Sequence, residues 1–318
     1  DLVYSNSFSK LAIGRCRYGL MLREDGYVFD DGVTVRLGEH HYLMHTTTGG
    51  APTVLSWLED LLQMEWTDLK VRLTSVTEQF AVVTLSGPFA RRLLAELTGD
   101  IELDPKAFPF MSWRNGTVAG IPARVLRVSF TGDLSFEIQV RASRGMALWH
   151  AAMASGEKYG VTPYGLEAMH VLRAEKGYIV VGHDTDGTVG PHDLGMSAMV
   201  ADAKPDFIGK RGLRRADALR PGRKQLVGLR LPEGERRPLP EGAQLVDDPN
   251  QPVPMTMIGH VTSSYFSPNV GAPIALALVQ NGRARMGETI HAPLADRTVP
   301  ATIVPPSFFD PDGKRLHG

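Results

Sequence analysis

Residues 18–22 form an apolar run, and in 27–37 apolar residues are interleaved with polar ones. The pattern predicts two strands joined by the turn Glu24-Asp25-Gly26, where Gly26 supplies the positive φ of a tight hairpin. Successive side chains of a strand point to opposite faces. Tyr27, Phe29, Asp31, Val33, Val35 and Leu37 therefore share one face, and Val28, Asp30, Gly32 and Thr34 the other. Two adjacent carboxylates thus stand inside a segment patterned for burial. An ionised carboxylate taken from water must be hydrogen-bonded or paired, or it takes up a proton. Asp30 and Asp31 are candidates for binding or deprotonating a ligand, and also for capping backbone amides of a turn. Alternation alone places Asp31 on the more apolar face.

Further along, residues 52–66 carry Val54, Leu55, Leu58, Leu61, Leu62 and Met64 at helical spacing, with Glu59 and Asp60 outward. Residues 71–73 and 80–85 predict strands, and Ser86-Gly87-Pro88 turns the chain into a helix over 89–97. Residues 118–128 and 135–140 predict an antiparallel pair, followed by a helix near 145–154. A helix over 164–176 is stopped by Gly177. Glu175 lies in its last turn, where the helix dipole disfavours an anion by about 0.3–1 kcal/mol, a cost that a cation or a ligand donor can offset. This succession predicts an α+β fold with antiparallel sheets. Prolines recur between 220 and 254 around a short strand at 226–231 and mark a boundary. Beyond it, short strands at 257–263, 273–279, 288–292 and 299–304 predict a small all-β barrel or jelly roll. The expected domains are 1–221 and 222–318.

Composition narrows the function. With 318 residues, 43% of them hydrophobic, the chain can bury a large core. The 34 Lys+Arg against 35 Asp+Glu leave a net charge of -1, so no global basic field draws nucleic acid or an anionic membrane. One cysteine, Cys16, allows no internal disulfide and fits a reducing cytosol. No apolar run is long enough to span a bilayer, and the expected location is cytoplasmic. The first residue is Asp1, not Met, so a longer natural product is expected. No Gly-x-Gly-x-x-Gly or Gly-x4-Gly-Lys-Ser/Thr is present, which excludes dinucleotide or phosphate binding by those motifs. A calcium loop starting at Asp184 fails in register, with Val189 at position 6 and Gly195 at position 12. His40, His41 and His45 lack a ligand set, and no metal is expected.

Three stretches resemble the aminomethyltransferase family, the glycine-cleavage T-protein and its relatives. They are YGLMLREDGYVFDD from Tyr18 to Asp31, LRAEKG from Leu172 to Gly177, and GHVTSSYFSP from Gly259 to Pro268 followed by IALAL. GRCRYGLMLREDG, EAMHVLRAEKGYIVVGHDTDGTVGPHD and RKQLVGL are similar, more closely, to the alpha subunits of heterotetrameric sarcosine oxidases. The resemblance implies an N-terminal folate-binding module, incomplete at its start, and a C-terminal barrel. It implies transfer of a one-carbon unit from oxidised sarcosine to tetrahydrofolate, giving 5,10-methylenetetrahydrofolate and glycine. FAD, FMN and NAD are then expected mostly outside this chain, with a flavin-bearing beta subunit among the partners. By resemblance Asp30 is the acting carboxylate with Asp31 its alternative, Tyr18 lies near the pterin, and Glu175 meets pterin ring nitrogens. Lys204 is the candidate for the folate tail, and Phe309 or Phe308 for an aromatic contact. A free-standing aminomethyltransferase, an oxidase for another N-methyl amine and a non-catalytic folate-binding module are the alternatives.

Overall fold

A computed structural model describes residues 1–317. The chain packs as two compact units, each assembled from separated stretches. The first holds Asp1–Ser7, Leu20–Phe29 and Gly165–Asp312; the second holds Phe8–Gly19, Asp30–Tyr164 and the stretch from Gly313 onward. Residues on both sides of position 221 pack in the first unit. No helix among the described residues is long and apolar enough to cross a membrane.

The expected hairpin forms from β1 (Cys16–Leu22) and β2 (Val28–Arg36), and β3 (Tyr42–Met44) completes a three-stranded sheet in the order β1-β2-β3. Gly26 has φ +88°, as the turn requires, and a Cβ there would stand 2.7 Å from the backbone of Gly212 and Leu213. On β2, Val28, Asp30 and Thr34 are buried while Asp31 is partly exposed. Both faces of β2 are covered in part: on the face of Asp31, Val35 is 0% exposed and packs with Val33, Leu37 and Cys16 in one apolar core. Alternation places Asp31 on the more apolar face, while packing buries the Asp30 side chain more deeply.

In the second unit, α1 (Ala51–Met64) buries Val54 and Leu58 and leaves Glu59 and Asp60 outward. Residues 71–73 form no strand; they lie in a largely exposed loop where no neighbouring strand offers a hydrogen-bonding ladder. An antiparallel sheet follows, built from β4 (Phe80–Ser86), β5 (Ser112–Val118), β6 (Ile121–Arg127) and β7 (Ser135–Arg141) in the order β4-β7-β6-β5. The strand expected over 118–128 is β6, paired antiparallel with β7 as expected; through a turn at Ala119 (φ 53°) and Gly120 (φ 72°) it also forms a hairpin with β5, which was not expected. The polar composition of β5 hid it from the apolar pattern. Between β4 and β5 runs α2 (Ala90–Leu97), and α3 (Gly145–Gly156) follows β7. Leu93, Leu94 and Leu148 of these helices pack with Phe136, Ile138 and Val140 of β7 in one apolar core. The other face of β7 carries Ser135, Glu137 and Gln139.

The first unit joins α4 (Leu166–Glu175) to a C-terminal sheet made of β8 (Lys224–Arg230), β9 (Gln244–Leu245), β10 (Gly259–Ser267), β11 (Ala272–Gln280), β12 (Thr289–Pro293) and β13 (Thr298–Val304). Its order is β12-β13-β8-β11-β10-β9, antiparallel throughout. A bridge between Val246 and His291 brings the two ends together, giving a nearly closed six-stranded barrel. Val227, Leu229, Leu245, Ala277, Ile290 and Ile303 fill it. The predicted α+β class and C-terminal barrel are both present.

Candidate functional site

In the second unit the three hairpin candidates come together. The Tyr18 hydroxyl donates to Asp31 Oδ2 at 2.5 Å. Burial pushes the Asp31 carboxyl up to about 6; the Tyr18 hydrogen bond opposes the shift and the neighbouring Asp30 charge adds to it. Tyr18 itself is raised well above its ordinary value, by burial first and by Asp31 second. Asp31 is thus a partly exposed carboxyl, oriented by a phenol, that changes charge near neutrality. Such a group can hold or release one proton.

Asp30 has a different environment. It is 2% exposed and accepts from the Asp31 amide at 2.7 Å, the Thr47 amide at 3.0 Å and the Thr47 hydroxyl at 3.0 Å. A Cβ on Gly50 would stand 2.2 Å from its Oδ2, so only glycine allows the chain entering α1 to pass this close. The carboxylate of Asp30 is committed to holding the 46–50 segment against β2. His45, beside it, turns Nδ1 to the Val33 carbonyl (2.8 Å) and Nε2 to Gln139 (3.0 Å).

In the first unit Glu175 is 1% exposed at the end of α4. Its Oε1 accepts from the Ser267 hydroxyl at 2.6 Å and its Oε2 from Asn269 Nδ2 at 2.8 Å. The cost of an anion at a helix C-terminus is thereby offset by the chain's own donors. The amides of Phe308 and Phe309 donate to the Glu175 carbonyl at 2.7 and 3.1 Å, which brings both expected aromatics to the end of α4. Lys204 is placed otherwise. Its ammonium donates to the carbonyls of Asp1, Tyr4 and Asn6, the last two at 2.5 and 3.0 Å. All three protons are used in pinning the 1–6 segment, so none is left for a folate tail. Burial, then the neighbouring Lys210 charge, lowers this ammonium to about 8.

The sequence reading missed the polar centre of the first unit. Arg173 and Asp184, both fully buried, form an ion pair between α4 and the loop after it. Arg173 Nη2 donates to Ser263 Oγ at 2.7 Å, and Thr262 and Ser263 of β10 donate to Asp184 Oδ1 at 2.6 and 2.7 Å. Asp184, tested as a calcium ligand, is instead the anchor joining α4 to the barrel. Both charges stand inside the family-like motifs, but their shared third partner lies about 80 positions on, beyond any local pattern.

Residues 1–204 match the GCVT N-terminal domain family and residues 224–310 the glycine cleavage T-protein C-terminal barrel domain. The chain is 48% identical to the sarcosine oxidase subunit alpha of Corynebacterium sp. (strain P-1) and 41% identical to that of Rhizobium meliloti (strain 1021), in each case over 99% of this chain. It spans only about a third of their length, 33% and 32% respectively. It is 32% identical to an aminomethyltransferase of Symbiobacterium thermophilum over 97% of this chain and 80% of the other. The crystal structure of glycine cleavage system aminomethyltransferase T from Bartonella henselae superposes with a TM-score of 0.82 at 23% identity, covering 97% of this chain and 80% of that one, and shows the same fold. The two domain matches and the aminomethyltransferase relatives place this chain in the GCVT aminomethyltransferase family.

Proposed function

We propose that the chain is the tetrahydrofolate-binding part of a sarcosine oxidase alpha subunit, and that the one-carbon unit of oxidised sarcosine is transferred here to give 5,10-methylenetetrahydrofolate and glycine. The observation that carries this reading is Asp31, a carboxyl near 6 held by the Tyr18 hydroxyl. The 41–48% identity to sarcosine oxidase alpha subunits over nearly the whole chain supports sarcosine as the donor. The residues suit a reduced folate, whose ring presents several N–H donors and few strong acceptors. Asp31 and Glu175 each offer carboxylate oxygens, and Ser267 and Asn269 use only two of the roughly four acceptor positions of Glu175.

Bound tetrahydrofolate would supply the nucleophilic amine that accepts the one-carbon unit. The chain's own part is positioning and proton handling. Asp31 is mostly ionised at neutral pH, so it can accept an amine proton and return it to solvent. Tyr18 fixes the direction in which its free oxygen points. A well-placed general base contributes typically 10²- to 10⁴-fold. This assigns to Asp31 the role that resemblance gave to Asp30, because Asp30 already holds three internal donors. Glu175 would receive ring N–H donors, with Phe309 against the ring. FAD, FMN, NAD, the flavin-bearing beta subunit and the cytoplasmic heterotetramer belong to the same proposal, as does a module boundary near 221.

The test is a product analysis on the assembly purified from its source, given sarcosine and oxygen with and without tetrahydrofolate. Peroxide is expected in both cases, with formaldehyde replaced by 5,10-methylenetetrahydrofolate when folate is present. Asp31→Asn should keep peroxide output and folate binding but lower methylenetetrahydrofolate formation at least 10-fold. A product ratio unchanged in Asp31→Asn would remove Asp31 from the reaction. A wild-type assembly indifferent to folate would remove the whole reading.

A further inference from the structure

One acidic residue of the second unit takes no part in the Tyr18–Asp31 pair or in the contacts of Asp30. Glu137 lies on β7 between Phe136 and Ile138, both 0% exposed. From Leu134 to Val140 every residue is buried except Glu137, which solvent reaches. Solvent thus reaches one acidic residue in a stretch that is otherwise covered.

The neighbours of Glu137 are identifiable. Across the sheet Glu137 stands beside Thr84 of β4 and Leu126 of β6. The titratable groups near it are the Cys16 thiol on β1 and the Tyr164 phenol just before α4, and its charge helps raise both. No hydrogen bond or ion pair reaches its carboxylate among the described residues, and the nearby Arg124 guanidinium is turned to Gln139 Oε1 at 3.3 Å. Desolvation without a compensating donor lifts its carboxyl to about 7. A carboxyl kept this way costs stability and has nothing inside the protein to answer it.

Two links tie Glu137 to the Tyr18–Asp31 pair. Gln139, two residues along the same face of β7, bonds His45, which is bonded to Val33, two residues along β2 from Asp31. Cys16, near Glu137, precedes Tyr18 by two residues on the same face of β1. Each two-residue step spans about 7 Å. A fused-ring ligand with an aromatic arm is long enough to meet both carboxyls.

We propose that Glu137 is a second ligand-contacting carboxyl of the Tyr18–Asp31 site, accepting a hydrogen bond from an N–H of the bound reduced folate. The inference rests on the folate reading and adds to it a binding group on β7. An N–H donor favours the ionised carboxyl, so binding should tighten as pH rises through 7. Asp31, lower at about 6, contributes little of that change.

The experiment measures tetrahydrofolate affinity of the full assembly by anaerobic calorimetry between pH 6.5 and 8.5, for wild type, Glu137→Gln and Glu137→Asp. Wild type should bind several-fold more tightly at the upper end. Glu137→Gln should bind at least 10-fold more weakly at pH 8 and lose the pH dependence. Glu137→Asp, which keeps the charge, should keep the pH dependence at reduced affinity. Wild-type binding matched within twofold by Glu137→Gln at every pH would overturn the role of Glu137 alone. If Glu137→Gln fails to assemble, pH-independent binding by Glu137→Asp would overturn that role equally. A wild-type assembly that binds no tetrahydrofolate would overturn the folate reading and this inference together.

Discussion

Adjacent in sequence and identical in chemistry, Asp30 and Asp31 are set apart by their surroundings. Three donors and nearly complete burial commit Asp30 to the backbone of the 46–50 segment. Burial with one phenolic donor leaves Asp31 near 6. Linkage of protonation to folding makes the difference measurable. An unfolded aspartate titrates near 3.9, so between that value and about 6 the native state holds a proton that the unfolded state has lost. Stability therefore falls as pH rises across that window and is flat above it, as far as Asp31 is concerned. Asp31→Asn removes the dependence while its amide oxygen can still accept from Tyr18. The melting temperature of Asp31→Asn should exceed that of wild type at pH 7.5 and approach it at pH 5. Equal melting temperatures at both pH values would show that Asp31 is not desolvated. A stabilising substitution that lowers transfer is the usual relation between a site and its scaffold.

At the scale of elements, α4 does the most to position chemistry. Its last turn presents Glu175, and the buried Arg173–Asp184 pair with Thr262 and Ser263 fixes that turn against β10. Removing one partner of a buried ion pair leaves the other uncompensated, at about 3–5 kcal/mol. Arg173→Met should therefore destabilise the protein by that amount in denaturant titration, whereas removing an exposed pair such as Arg211–Asp206 should cost less than about 1 kcal/mol. A loss below about 1 kcal/mol for Arg173→Met would show that Thr262, Ser263 and the Val180 amide satisfy Asp184 unaided. The elements the apolar pattern misjudged fail for related reasons. β5 has few apolar residues yet is paired along its length with β6, and 71–73 alternates well yet has no partner. A strand is stabilised by its neighbour's ladder as much as by its own side chains.

For the whole molecule, a net charge of -1 gives no long-range field, so recognition rests on local groups. The first unit gathers residues from both sides of position 221. Arg223 bonds Asp193 through Nε and Nη2, and the Leu226 amide donates to the Asp193 carbonyl at 2.8 Å. A fragment of residues 1–221 lacks β8 and the barrel against which α4 packs. Expressed alone, it should be cleaved rapidly within 165–221 by a nonspecific protease. Protection there would establish 1–221 as a folding unit in its own right.

The sequence by itself determined the hairpin, its Gly26 turn, four of the helices and five of the six barrel strands, because these rest on local periodicity and turn chemistry. It also singled out Tyr18, Asp30, Asp31 and Glu175 through the motifs that carry them. Only the tertiary structure decided which aspartate is committed to the backbone, since that depends on Thr47 and Gly50, up to 20 positions away. It also committed Lys204 to the carbonyls of residues 1–6 and, among the described residues, left Glu137 without a donor. Periodicity records what one strand or helix needs from its environment. The charge state of a carboxyl records what distant segments bring to it, and that is fixed only when the chain has folded.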